Sequence, residues 1–238
     1  ADAGTYYVAI TGINNFSGTA YDTFKLTPAD LDSGYTSTMG TDYPYTGYSL
    51  AAQGVSPYVY ASDDPNLDPK FDSSKDYTIE YLNADTNATI RTKLSGITEV
   101  GNYKIRVTGN APNCEGCFET PFTISKANIE DSSIFDVAVD TSSVMYTGGA
   151  IAPAVTITQT IELSTGSVTK ALDEDTHFSV TYADNTDATD SATITIAGIG
   201  TNYTGSIQRT FSITQANLAR TADSSPNDYF RSEEHTSE

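Results

Sequence analysis

The sequence predicts an all-β chain, built as tandem β-sandwich domains with part of another domain ahead of them. Three observations predict it. In the stretch from Ala192 to Leu218, Ala192, Ile194 and Ile196 alternate with threonines, and Ile207, Phe211 and Ile213 share one parity on the return, Arg209 excepted. Period-two alternation marks a strand with one buried face. Asn202-Tyr203-Thr204-Gly205 lies between, and Gly205 can supply the positive φ of a tight hairpin. The second observation is that this hairpin occurs three times, and the third is that the spacing of the copies is the length of a whole domain.

Aligned on Phe24, Phe122 and Phe211, the copies coincide at Asn15, Asn113 and Asn202, at Phe16, Cys114 and Tyr203, and at Gly18, Gly116 and Gly205. Counted back from Gly12, Gly109 and Gly198, the preceding strand matches at Val8, Ile105 and Ile194 and at Ile10, Val107 and Ile196. After the aromatic come Leu26, Ile124 and Ile213, then Ala29-Asp30-Leu31, Ala127-Asn128-Ile129 and Ala216-Asn217-Leu218. So many coincidences at mixed spacings identify internal repeats. Phe122 follows Phe24 by 98 residues and Phe211 follows Phe122 by 89. Such a period exceeds any solenoid repeat and suits an immunoglobulin-sized sandwich of about 100 residues.

The expected organisation follows in order. Residues 1–31 hold the terminal hairpin of a truncated repeat, with Tyr6, Val8 and Ile10 on one face and Phe24 and Leu26 answering. Two strands alone are marginal in water, so this piece is expected to fray or to borrow a surface from its neighbour. Residues 32–129 form the first complete domain. Its Tyr45-Thr-Gly returns at Tyr146, and its alternating Tyr77-Thr-Ile-Glu-Tyr81 returns as Phe178-Ser-Val-Thr-Tyr182, both 101 residues on. The first copy then carries about 12 extra residues near 87–99, where Thr89 to Leu94 is expected to add an edge ribbon. An insertion on one copy is a place for specific binding. Residues 130–218 form the second domain, with Val155, Ile157 and Ile161 alternating in an early strand. Residues 219–238 are expected to be a disordered tail.

Composition bounds the function. Asp+Glu 31 against Lys+Arg 12 gives a formal charge of −19, a field that repels nucleic acid and anionic membrane. No run approaches the roughly 18 apolar residues of a spanning helix, so no membrane insertion is expected. Trp is absent, and with it the Cys–Trp–Cys pattern of antibody domains.

The combination Tyr-Thr-Gly, then Asp-Tyr-Thr-x-x-Tyr at Asp76 to Tyr81, then Gly-x-Asn-Tyr-Thr-Gly before Thr-Phe-x-Ile at Gly200 to Ile213, resembles the Ig-like repeats of bacterial cell-surface proteins. The resemblance covers roughly residues 31–218 and the partial copy ahead. The second copy departs from it at His177, where the first has Asp76, and the first departs at Cys114 and Cys117. It implies an extracellular or cell-surface β-sandwich with spacer or adhesive duty, no catalytic residues and no cofactor.

Candidate chemistry is sparse. Cys114-Glu-Gly-Cys117 spans a hairpin turn rather than the strand-to-helix junction of a redox motif, and a zinc site lacks a second pair of ligands. The pair is expected to be a small disulfide stapling the turn if the chain is exported, or two free thiols if it is not. Asp64-Pro-Asn66-Leu-Asp68 has the alternate-oxygen spacing of a calcium loop, but Pro69 stands where Gly is required and Lys75 where Glu is required. With Asp63 or Asp72 it could form a looser site, against the more ordinary reading of a solvated acidic turn. His177 is the one centre for a Ser–His–Asp device, and no nucleophile elbow accompanies it. The expected function is therefore non-catalytic: a structural spacer of a bacterial surface protein or adhesin, whose partners are the neighbouring repeats of its own chain. The alternative is a module for a glycan or a host protein, motivated by Tyr48, Tyr58 and Tyr60, which the second copy does not match. Finally, Arg231-Ser-Glu-Glu-His-Thr-Ser-Glu238 is identical to one translated frame of a common sequencing adapter. Residues 231–238 are therefore expected to be an artefact, which removes Glu233, Glu234, His235 and Glu238 from functional argument.

Overall fold

A computed structural model of the chain describes residues 1–64, 66, 71–91, 93–140 and 144–216. The tail 219–238 with its adapter-like octapeptide, and Asp68 of the acidic turn, lie outside the described residues. Within them the chain is all β, with one 3-10 turn at Leu94–Gly96 and no α-helix. The strands fall into three groups along the chain.

The first group is the hairpin of Gly4–Thr11 and Thr19–Leu26, paired antiparallel from Gly4 opposite Leu26 to Thr11 opposite Thr19. The second spans 29–125. Its main sheet has five strands in the order Asp42–Pro44, Cys117–Ser125, Gly101–Gly109, Tyr77–Asn83, Thr89–Arg91. The edge ribbon expected over Thr89 to Leu94 is a strand only at Thr89–Arg91, which meets Tyr77–Asn83 with Tyr81 opposite Arg91 and a shift in register at Leu82, whereas Leu94 opens the 3-10 turn. A two-stranded pair, Tyr35–Ser37 with Val59–Ala61, supplies further core. Ile105 and Val107 of the main sheet and Val59 of the pair are all 0% exposed and belong to one cluster.

The third group, 127–214, has a four-stranded sheet ordered Val144–Met145, Ser206–Thr214, Thr189–Gly198, Phe178–Ala183. A three-stranded sheet joins Phe135–Val139, Val155–Leu163 and Gly166–Ala171. One core draws on both sheets: Ile194 and Ile196 from the first, Phe135 and Ile157 from the second. Alternation explains the burial. Ala192, Ile194 and Ile196 are fully buried, Ile207, Phe211 and Ile213 nearly so, and Arg209 is exposed although it sits opposite Ile194.

The turn glycines act as expected. Gly18, Gly116 and Gly205 have φ of 94°, 77° and 92°, a region open to glycine at no steric cost. The last two carry a second constraint. A Cβ on Gly205 would lie 2.0 Å from Asn128 Oδ1, and one on Gly116 would lie 2.7 Å from Asp30 Oδ1. These contacts exist because the junction segments pair forwards. Ala29–Asp30 runs parallel to Cys114–Glu115, and Ala127–Asn128 parallel to Tyr203–Thr204. Strand pairing of each group thus begins at Ala29 and Ala127, a few residues ahead of the boundaries read from the repeat.

Candidate functional site

The richest chemistry lies where one strand group meets the next. Two such joints exist, at equivalent places and with different residues.

At the first joint the N-terminal hairpin meets the group 29–125. The Asn113 side chain is the hub: its Nδ2 donates to Asp76 Oδ1 at 2.8 Å and to Asp2 Oδ1 at 2.9 Å, and its Oδ1 accepts from Ala3 N at 2.8 Å. Lys75 Nζ stands 3.6 Å from Asp2. The Asn113 amide, and then the Lys75 ammonium, hold the Asp2 carboxyl below its usual value. This joint is polar, exposed at Asp2 and Lys75 and buried at Asp76. An exposed pair of this kind adds little to stability.

The second joint is buried. Gln159, 0% exposed, sits at the inward parity of Val155–Leu163 between Ile157 and Ile161. Its Nε2 donates across the junction to Tyr45 O at 2.9 Å, and its Oε1 accepts from Tyr203 Oη at 3.4 Å. The Tyr45 ring meets the Tyr203 ring edge-on, centroids 5.7 Å apart, and Lys170 Nζ donates to Tyr203 Oη at 3.2 Å. Burial pushes the Tyr203 hydroxyl up to about 12. It also raises that of Tyr45, against the opposing pull of Lys170. A further bridge is Ser164 N donating to Ala52 O at 2.9 Å. A buried amide with both ends satisfied across two strand groups fixes their relative position.

Motif reading singled out Tyr45 and Tyr203 only as markers of the repeat. It missed Gln159 and Lys170. The available signal was Gln159 itself, a polar residue on an otherwise apolar strand face.

The other sequence candidates do not converge. Cys114 is buried and Cys117 exposed, and both are free thiols. Burial, reinforced by Asp76, raises the Cys114 thiol, which makes it a poor nucleophile. His177 Nδ1 accepts from Asp173 N at 2.9 Å, and its ring packs edge-on to Tyr203 at 5.2 Å, so the imidazole holds a turn against the joint. In the acidic turn Asp64 Oδ1 accepts from Asn66 N, and Asp72 Oδ1 accepts from both Ser74 N and Ser74 Oγ. Those bonds are ordinary turn chemistry and hold Asp72 below its usual value. Among the described residues no three of His, Cys, Asp and Glu gather to hold a metal ion. Tyr58 and Tyr60 are half-buried on either side of the fully buried Val59, whereas Tyr48 is 40% exposed in the turn after Tyr45. Leu94 and Ile97 of the insertion are 6% and 2% exposed. The insertion therefore plugs the core as well as widening the sheet.

Fold and site together define a class: an all-β chain whose most elaborate polar constellation joins its own parts. Comparison with known proteins adds no relative, since no family model, no curated protein and no solved structure matches the chain.

Proposed function

We propose that the chain is a non-catalytic spacer: tandem Ig-like β-sandwich repeats from the extracellular part of a bacterial surface protein or adhesin, stacked to hold a functional head away from its anchor. The observation that carries the reading is the Tyr45–Gln159–Tyr203 joint. A linker of the Lys126-Ala127 kind would leave two domains free to swing. A main-chain acceptor of one unit bonded to a fully buried amide of the next resists that swing. The partners of such a repeat are its neighbours along the chain, and its acidic surface keeps it soluble at high local concentration.

Small-angle scattering of the full chain tests the proposal. A stacked rod has a radius of gyration well above the about 18 Å of a single compact globule of this length. A value near that of the globule would refute the spacer. Exposed Tyr48 supports a second reading, a glycan- or protein-binding module. Binding on a glycan array that is abolished by Tyr48→Ala would favour that module.

A further inference from the structure

The N-terminal hairpin exposes what its two counterparts bury. Tyr6 stacks on Phe24 with centroids 5.5 Å apart and an interplanar angle of 21°; Tyr103 stacks on Phe122 at 5.4 Å and 22°. The same ring pair is therefore built at the same register, Tyr6 opposite Phe24 and Tyr103 opposite Phe122. Exposure separates them. Val8, Ile10, Phe24 and Leu26 are 41%, 64%, 48% and 36% exposed, whereas Ile105, Val107, Phe122 and Ile124 are 0%, 0%, 2% and 3%. Their counterparts Ile194, Ile196, Phe211 and Ile213 are likewise at 3% or less. A contiguous apolar face on a two-stranded ribbon is a surface that awaits a partner.

The edges agree with the face. Gly101–Gly109 pairs on its far side with Tyr77–Asn83, and Thr189–Gly198 with Phe178–Ala183. Cys117–Ser125 and Ser206–Thr214 each take a short parallel strand, Asp42–Pro44 and Val144–Met145. Among the described residues Gly4–Thr11 and Thr19–Leu26 pair only with each other. The exit from the hairpin is also that of a complete unit. Ala29 N donates to Asn113 O and Leu31 N to Glu115 O, as Ala127 N donates to Asn202 O and Ile129 N to Thr204 O. The hairpin stands to the second strand group as that group stands to the third.

We propose that the apolar face and both open edges of the hairpin are a docking surface for one occupant: the leading part of a repeat of this chain's own kind, a polypeptide equivalent to residues 127–186. It would supply one antiparallel strand beside Gly4–Thr11, one short parallel strand beside Thr19–Leu26, and an apolar layer over Val8, Ile10, Phe24 and Leu26. The proposal rests on the equivalence of the three hairpins and not on the spacer reading, so scattering and the following test can fail separately.

The test extends the full chain at its N-terminus with an added copy of residues 127–186, which enters the hairpin in the register of Thr189–Gly198. Chymotryptic cleavage after Tyr6, Tyr7, Tyr21 and Phe24 is followed alongside hydrogen exchange of the two strands. Cleavage at those sites in the extended chain should slow by at least about tenfold, with matching amide protection, because cleavage then requires local opening. An extension carrying Phe135→Asp and Ile157→Asp in the added copy should restore fast cleavage. Unchanged cleavage on extension, or equal slowing by the doubly substituted extension, would overturn the proposal. So would a dimer of the unextended chain, seen by sedimentation and dissolved by Val8→Asp with Phe24→Asp, because the face would then belong to a second copy.

Discussion

Replacing Gln159 with Met tests the buried joint most directly. Met is close to Gln in length and shape, so the change leaves no cavity and adds little bulk. What is lost is the donor to Tyr45 O at 2.9 Å and the acceptor for Tyr203 Oη at 3.4 Å. Tyr203 Oη keeps Lys170 Nζ at 3.2 Å, so the larger part of the loss falls on the Tyr45 carbonyl. An orphaned buried polar group costs about 1–3 kcal/mol, and one orphan with a second half-satisfied group places Gln159→Met near 2 kcal/mol, roughly. A domain of about 90 residues loses some 4–8 °C of Tm for each kcal/mol, so the drop should be roughly 10 °C. Differential scanning calorimetry of the full chain reads it. Because the acceptor belongs to one strand group and the donor to the next, the endotherm should also split into two. A double-mutant cycle with Tyr203→Phe should show only a modest coupling, since the two changes share the 3.4 Å contact but not the bond to the Tyr45 carbonyl. A Tm within about 2 °C of the parent, with an unsplit endotherm, would refute the claim that this amide closes the joint.

Three further outcomes are expected. Gly205→Ala should destabilise far more than Gly148→Ala: both sit at positive φ, 92° and 83°, but only the Gly205 Cβ would strike Asn128 Oδ1 at 2.0 Å. Equal losses in urea denaturation would place the whole cost in backbone strain. Burial raises Tyr81 and Tyr203 from 10.0 to about 12. Because the folded values lie above the unfolded ones, this stability is complete below pH 10 and is lost between pH 10 and about 12, on the order of 2 kcal/mol for each tyrosine. Tm measured from pH 8 to 12 should fall steeply in that window, and a flat profile would refute it. Iodoacetamide should modify exposed Cys117 quickly and buried Cys114 only on unfolding; equal rates by peptide mapping would contradict the burial and raised thiol of Cys114.

Local periodicity made the strands legible. Ile194, Ile196 and Phe211 announce a buried face because a strand's two sides alternate every residue, and Gly205 announces its turn because few other residues take φ near 90°. The insertion could be read as added length, and of the ribbon expected over Thr89 to Leu94 only Thr89–Arg91 forms a strand. The burial of Leu94 and Ile97 did not, because a 3-10 turn that drops two side chains into a core has no period to detect. The forward pairing of Ala29–Asp30 and Ala127–Asn128 was equally silent, since two residues cannot display a pattern.

The joints were silent for a deeper reason, and their comparison shows what sequence does and does not record. Gln159 betrays itself by polarity, but its partner is the carbonyl of Tyr45, 114 residues away. Every residue has such an acceptor, so no side chain marks this one. Two substitutions then separate the joints. At equivalent hairpin positions the first has Cys114 and the second Tyr203; at equivalent strand entries they have Asp76 and His177. With Asp76 and the small Cys114, the Asn113 amide is free to reach back to Asp2 and Ala3, giving a partly exposed polar contact. With His177 and Tyr203, two rings pack edge-on and carry the contact on to Tyr45. The turn glycine and the junction pairing recur at both joints, while Asp76 with Cys114 accompanies a partly exposed polar contact and His177 with Tyr203 a buried aromatic one. The buried joint also needs Gln159 and Tyr45, neither of which has a counterpart among the contacts of the first joint, so the hairpin ring, its strand-entry partner and the buried amide close it together.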